Sequence, residues 1–172
     1  EIAEAFSRLK QEHPERLERR LALSWSNWGF GREPLEESLA RLERSGIELV
    51  ELHGNHHSQD LGYRVGPTRK ALADAGIRAA GICGIFGPDH DLSSNRAVGR
   101  QGAIDYVRRE LEFGAEVGAE YFIVVPGAVG RTTPLDENEV HRSADTLRLL
   151  ADEFAAHGIR AAVEPIRSAE VS

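Results

Sequence analysis

One junction recurs four times and restricts what this chain can fold into. A helical stretch ends at a glycine, and an apolar residue, a charged residue and a β-type run follow. The copies are Ser45-Gly46-Ile47-Glu48, Ala75-Gly76-Ile77-Arg78, Val117-Gly118-Ala119-Glu120 and His157-Gly158-Ile159-Arg160. Glycine suits the left-handed position just past a helix C-terminus, and the residues after it begin a strand buried on both faces. Strands are therefore expected from Leu21 to Ser24, Ile47 to His53, Ile77 to Cys83, Tyr121 to Val125 and Ile159 to Glu164. Between them the 3.6-residue period marks helices. Leu35, Leu39 and Leu42 form one apolar face behind Pro34, which suits a first turn. Ile104, Val107, Leu111 and Ala115 form another. Val140, Ala144, Leu147, Ala151 and Phe154 form a third. A weaker helix runs past Val65, Leu72 and Ala75.

Strict β-α alternation predicts a parallel sheet with right-handed crossovers. From Ser24 to Glu164 are 140 residues over four units, or 35 per unit. Eight such units need roughly 280 residues, the usual size of a closed barrel. The fold class is α/β: a doubly wound open sheet, or a (β/α)8 barrel of which this chain supplies about four units and strand five. Residues 21–172 then form the N-terminal part of one barrel domain, and residues 1–20 a helical extension. In that extension Ile2, Ala5, Phe6 and Leu9 fall at helical spacing. It is expected to cover the barrel bottom, with docking of a partner subunit as the alternative. The absence of methionine and the stop at Ser172 fit a piece of a longer chain.

Composition narrows the function classes. The net charge of −7 opposes binding to a nucleic-acid backbone. No apolar run approaches the roughly 18 residues of a membrane span. Residues 1–20 lack the apolar core of a signal peptide. The single cysteine, Cys83, excludes an internal disulfide framework. It favours a reducing, cytoplasmic setting. Without a CxxC pair, a thiolate zinc site is not expected.

In either architecture ligands bind at the C-terminal ends of the strands. That rule selects Ser24 to Trp28, His53 to His57, Gly84 to Asp91, Pro126 to Ala128 and Glu164 to Arg167. These stretches hold both tryptophans and four of the seven histidines. Glu164 ends an apolar strand and should point into the mouth. A carboxylate there must be paired or metal-bound, and an ion pair with Arg167 is the structural alternative to a ligand. His53, at the end of the second strand, suits a neutral base or proton shuttle, or a loop-capping hydrogen bond. His56 and His57 fall in the following loop. Trp25 and Trp28 can stack on a sugar or an aglycone, or simply pack the loop. Cys83 reads as a small buried residue, and Asp89 and His90 as a solvated turn after Pro88.

Glu164-Pro165-Ile166 resembles the xylose-isomerase-like superfamily of sugar isomerases and epimerases, whose fifth-region strand ends in Glu-Pro-Leu-Asn-Arg-x-Glu. Asp91-Leu92-Ser93-Ser94 before the long helix, and Val124-Val125-Pro126-Gly127, resemble the same family, so the likeness runs from Leu21 to Glu170. It implies a metal-dependent isomerase or epimerase that abstracts a proton next to the carbonyl of a keto sugar. By resemblance Glu164 is a metal ligand and an acid–base carboxylate, and Glu170 contacts substrate. Further ligands, usually an aspartate, a histidine and a second glutamate, would follow Ser172. The implied ion is Mn²⁺, with Mg²⁺, Co²⁺ or Zn²⁺ as alternatives. The family's asparagine and arginine fall here on Arg167 and Ser168, so the substrate contacts differ, and Arg167 becomes a candidate contact.

Other readings share parts of this pattern. A lyase on the same fold begins with the same proton abstraction. The α subunit of a C-glycoside deglycosidase, acting on 3-keto C-glycosides beside a second subunit, is one; a keto-inositol dehydratase is another. A zinc-cluster DNA-repair endonuclease would carry histidine where Val125 stands. A nicotinamide dehydrogenase would need a third glycine after Gly29-Phe30-Gly31, although Glu51 follows Gly31 at the expected distance of 20 residues. A non-enzymatic sugar-binding barrel is the last alternative. The expected partners are a small carbohydrate and either further copies of the chain or a second subunit, with no nucleic acid and no membrane.

Overall fold

All four glycine junctions close in the same way in the computed structural model, which describes residues 1–18, 21–54, 61 and 63–166. At the second, Gly76 takes φ 64°. Its N–H donates to the Ala73 carbonyl at 3.2 Å, and the Ile77 N–H reaches the Leu72 carbonyl at 3.0 Å. This is the paired Schellman closure. The pairs Gly46/Ile47, Gly118/Ala119 and Gly158/Ile159 repeat it. The apolar residue then turns into the core, with Ile77 4% and Ile159 3% exposed.

The elements are α1 (Ile2–Glu12), α2 (Glu15–Glu18), β1 (Ser24–Ser26), a 3₁₀ turn (Asn27–Phe30), α3 (Leu35–Arg44), β2 (Leu49–His53), α4 (Val65–Ala75), β3 (Arg78–Cys83), α5 (Ala97–Val117), β4 (Tyr121–Val124), α6 (Glu139–Ala156) and β5 (Arg160–Val163). The five strands pair in parallel in the order β1-β2-β3-β4-β5. A doubly wound sheet reverses its order at a switch point; this one does not. Consecutive helices α3 to α6 also pack on one another, so they form one layer on one side of the sheet. Sequential strands under a single helical layer are the geometry of a barrel wall, and the open alternative is set aside.

The core lies between that layer and the outward-facing strand residues. Leu39 and Leu42 of α3, Val50 and Leu52 of β2, Ile82 of β3, and Phe122 and Val124 of β4 are buried there. Each such side chain contributes about 1.5–3 kcal/mol relative to exposure. The expected faces of α3 and of most of α5 are confirmed, but Ala115 of α5 is exposed.

Four expectations change. The first strand starts at Ser24 rather than Leu21, and Leu21 and Leu23 are exposed. Helix α1 buries none of its residues, so it does not cover the bottom of the sheet here. The buried stripe of α6 is Glu139, Ser143, Thr146, Leu150 and Phe154, with Val140 left 77% exposed. Its first turns are held by polar contacts instead. Ser93 donates to Glu139 at 3.0 Å, and Thr146 donates to the Leu92 carbonyl at 3.1 Å. Of the turn after Pro88, Asp89 is exposed as expected, but His90 is buried with its ring against Tyr106, and Asp91 is buried beside it. The β3–α5 segment is thus clamped onto α6. Arg131 completes the clamp, pairing with Glu139 and with Asp91 at 3.3 Å.

Candidate active site

The inner face of the sheet, opposite the helices, carries the polar residues. Side chains alternate along a strand, and register partners share a face. The pairing places Ser26, Glu51, Gly81 and Tyr121 in one row, and His53, Cys83, Ile123 and Ala162 in the next row toward the C-terminal ends. Glu164 is two residues beyond Ala162. It follows on the same face, anchored by its N–H on the Val124 carbonyl at 3.0 Å. Its charge reaches Cys83: burial, then Glu51, then Glu164 push that thiol up to about 12, with a Ser26 hydrogen bond opposing. Cys83 is therefore a protonated thiol, unsuited to nucleophilic or ligand chemistry.

His53 is 4% exposed. Its Nδ1 lies 2.8 Å from the Gly54 carbonyl. A carbonyl only accepts, so the proton sits on Nδ1 and the lone pair on Nε2. Burial lowers the imidazole pKa against the opposing pull of that carbonyl, so the ring is neutral at physiological pH. A neutral imidazole with a bare nitrogen is a base in waiting.

Below His53, Glu51 is buried and accepts a 2.8 Å hydrogen bond from the Tyr121 hydroxyl. Burial first, then the Glu51 carboxylate, raises the Tyr121 pKa and keeps the phenol protonated. From the sequence, Glu51 is a candidate only in the dehydrogenase reading, and Tyr121 in none. The usable signal was a charged residue between Val50 and Leu52, two positions before His53.

The tryptophans divide. Trp25 pairs with Val50 and so faces the helices, where its ring stacks on Phe30 at 6.3 Å. Trp28 lies in the turn beyond β1, 57% exposed at the mouth. Arg167, Glu170, His56 and His57 lie outside the described residues.

Glu164 fits as one oxygen donor to a hard cation. Among the described residues, no three His, Cys, Asp or Glu side chains converge into a group able to hold a metal ion. These residues alone do not make a metal centre. No helix among them is long and apolar enough to cross a membrane.

A family model described as xylose isomerase-like TIM barrel matches residues 39–172. No curated protein matches the chain. Among solved structures, a D-allulose 3-epimerase from Methylomonas sp. superposes with TM-score 0.77 at 18% identity, over 89% of this chain and 54% of that one. A 3-keto-D-glucoside 4-epimerase from E. coli gives 0.70 at 21%, over 88% and 58%. An L-ribulose 3-epimerase gives 0.72 at 18%, over 86% and 50%. The chain spans about half the length of each.

Proposed function

The chain belongs to the xylose isomerase-like TIM-barrel family, and from that premise we propose that it is a sugar isomerase or epimerase that moves a proton beside the carbonyl of a keto sugar or sugar derivative. The observation that carries this reading is the placement of Glu164 on the inner sheet face, above the row that holds neutral His53. A carboxylate and an imidazole at the strand ends can remove a proton from one carbon and return one to its neighbour, or to the opposite face. His53 offers Nε2 as acceptor, and Glu164 offers a carboxylate that alternates between base and acid. Trp28 supplies an apolar surface for a sugar ring. Trp25 is turned toward the helices, where it stacks on Phe30 and stays half exposed. Arg167 and Glu170 are proposed as further substrate contacts.

A divalent ion, Mn²⁺ by preference, would polarise the carbonyl and stabilise the negative charge developing on its oxygen. Its remaining ligands would come from outside the described residues. The similarity of a 3-keto-glucoside epimerase supports keto sugars as the class. A lyase acting on a 3-keto glycoside would use the same first step and differ by releasing an aglycone.

The test is elemental analysis of the full-length protein beside Glu164→Ala, with both assayed on keto sugars and 3-keto glycosides. About one divalent ion per chain, lost with the activity in the variant, is expected. Equal metal in both proteins removes Glu164 as a ligand. Aglycone release in place of an epimer moves the reading to the lyase.

A further inference from the structure

Three buried residues meet where β1 and β2 end. Asn27, the first residue of the 3₁₀ turn, is 2% exposed; His53 is 4% and Tyr63 7% exposed. The Asn27 Oδ1 accepts the His53 backbone N–H at 2.6 Å. Its Nδ2 donates to the Tyr63 hydroxyl at 2.8 Å. The two bonds fix the orientation of the amide, since a flipped group would set Nδ2 against an N–H. The next peptide is held equally firmly. The Gly54 N–H donates to the Cys83 carbonyl at 2.8 Å. A Cβ on Gly54 would lie 2.6 Å from that carbonyl oxygen and 2.6 Å from the Tyr106 hydroxyl. The chain passes there because residue 54 has no side chain. Between these anchors, the Gly54 carbonyl is the group that meets His53 Nδ1.

We propose that Asn27 is a positioning residue: its amide fixes the main chain of His53 so that the Gly54 carbonyl holds the proton on Nδ1 and Nε2 is presented to substrate. The catalytic meaning of this assignment rests on the proton-transfer reading of the site. The link itself is structural and can be read without any substrate. Asn27 acts through His53. Its effect is to keep one tautomer and one ring orientation, as a hydrogen-bonded carboxylate does for a catalytic histidine elsewhere.

The test is ¹⁵N NMR of the histidine ring nitrogens in the full-length protein, above the histidine titration range, with His53 assigned by its loss in His53→Gln. Wild type is expected to show Nδ1 protonated and Nε2 bare. Asn27→Ala should move both nitrogens toward the averaged shifts of a mixed tautomer. Asn27→Asp keeps an acceptor for the His53 N–H, and the Tyr63 hydroxyl can turn to donate to it, so the wild-type pattern should return. On a turned-over substrate, kcat should fall about tenfold in Asn27→Ala with KM little changed, and recover in Asn27→Asp. If Asn27→Ala does not fold, Tyr63→Phe, which releases the far end of the amide, should shift the same nitrogens less far. Unchanged His53 nitrogens in the variant that folds overturn the proposal. A tautomer change in a protein that turns over no keto sugar supports the positioning link and overturns the functional reading.

Discussion

The Tyr121 hydroxyl reaches Glu51 across an intervening strand, and the residue between them is Gly81. Glu51 and Tyr121 are both register partners of Gly81, and the phenol crosses over it to close the 2.8 Å hydrogen bond. A Cβ on Gly81 would lie 2.3 Å from the Tyr121 ring. Gly81→Ala must therefore push the ring aside and leave the buried carboxylate without its donor. A loss of about 2–4 kcal/mol is expected from overpacking and the lost hydrogen bond together. Tyr121→Phe should lose only the hydrogen-bond part, about 1–3 kcal/mol. Urea unfolding of the two variants separates the terms, and equal losses would mean that Gly81 is not the cause.

The clamp between the β3–α5 segment and α6 predicts acid sensitivity. Burial alone would raise the Glu139 pKa, but hydrogen bonds from Arg131, Ser93 and the Leu135 N–H, with the Arg131 charge, lower it on balance. A carboxylate depressed in the fold adds stability above its unfolded pKa, near 4.5, and loses it as pH falls through the lower folded value. Arg131→Ala leaves Asp91 and Glu139 buried without their cation and should destabilise by about 3 kcal/mol near neutrality. The difference from wild type should shrink as the pH drops below the carboxylate range. A difference that stays constant with pH would assign the loss to packing.

The glycine junctions made the fold legible, because each encodes a local hydrogen-bond pattern that depends on few distant residues. The α6 face was misread for the opposite reason. Its buried residues Glu139, Ser143 and Thr146 are polar, and two of them are buried by contacts to a loop some 50 residues away, which no periodicity reports. The site was legible in part. Glu164 and His53 stand out as strand-end residues and fall on one face. Asn27 and Tyr121 act through pairings 26 and 70 residues apart in sequence and carry no local mark. Trp25 showed its side only once the register of β1 was known.

Cys83 should be nearly inert. With its thiol pushed up to about 12, the thiolate fraction at pH 8 is far below that of a free cysteine. Alkylation in the folded protein should be slow and should accelerate on unfolding. The folded state keeps the proton from the ordinary thiol value up to about 12 while the unfolded state has lost it, so folding weakens across that alkaline window. Cys83→Ser should flatten this limb and leave stability below it little changed in pH dependence. Rapid alkylation of native protein at pH 8 would contradict the placement of Glu51 and Glu164 around the thiol.

Glu164→Gln separates chemistry from folding. The side chain is exposed on the inner face, the backbone N–H ties the strand end to Val124, and Gln keeps the size and the accepting oxygen of the side chain. Stability should change by no more than about 0.5 kcal/mol. Activity of the full-length protein should fall by about 10²–10⁴-fold if the carboxylate transfers a proton. Glu51→Gln is the control. It removes a buried carboxylate on the same face but two rows below, so it should lower stability more and turnover less. Solvent-deuterium incorporation into recovered substrate gives the direct readout. Exchange at the carbon beside the carbonyl should vanish in Glu164→Gln and persist in Glu51→Gln. Exchange that survives in Glu164→Gln would transfer the base role to His53, whose bare Nε2 is the other acceptor identified on that face.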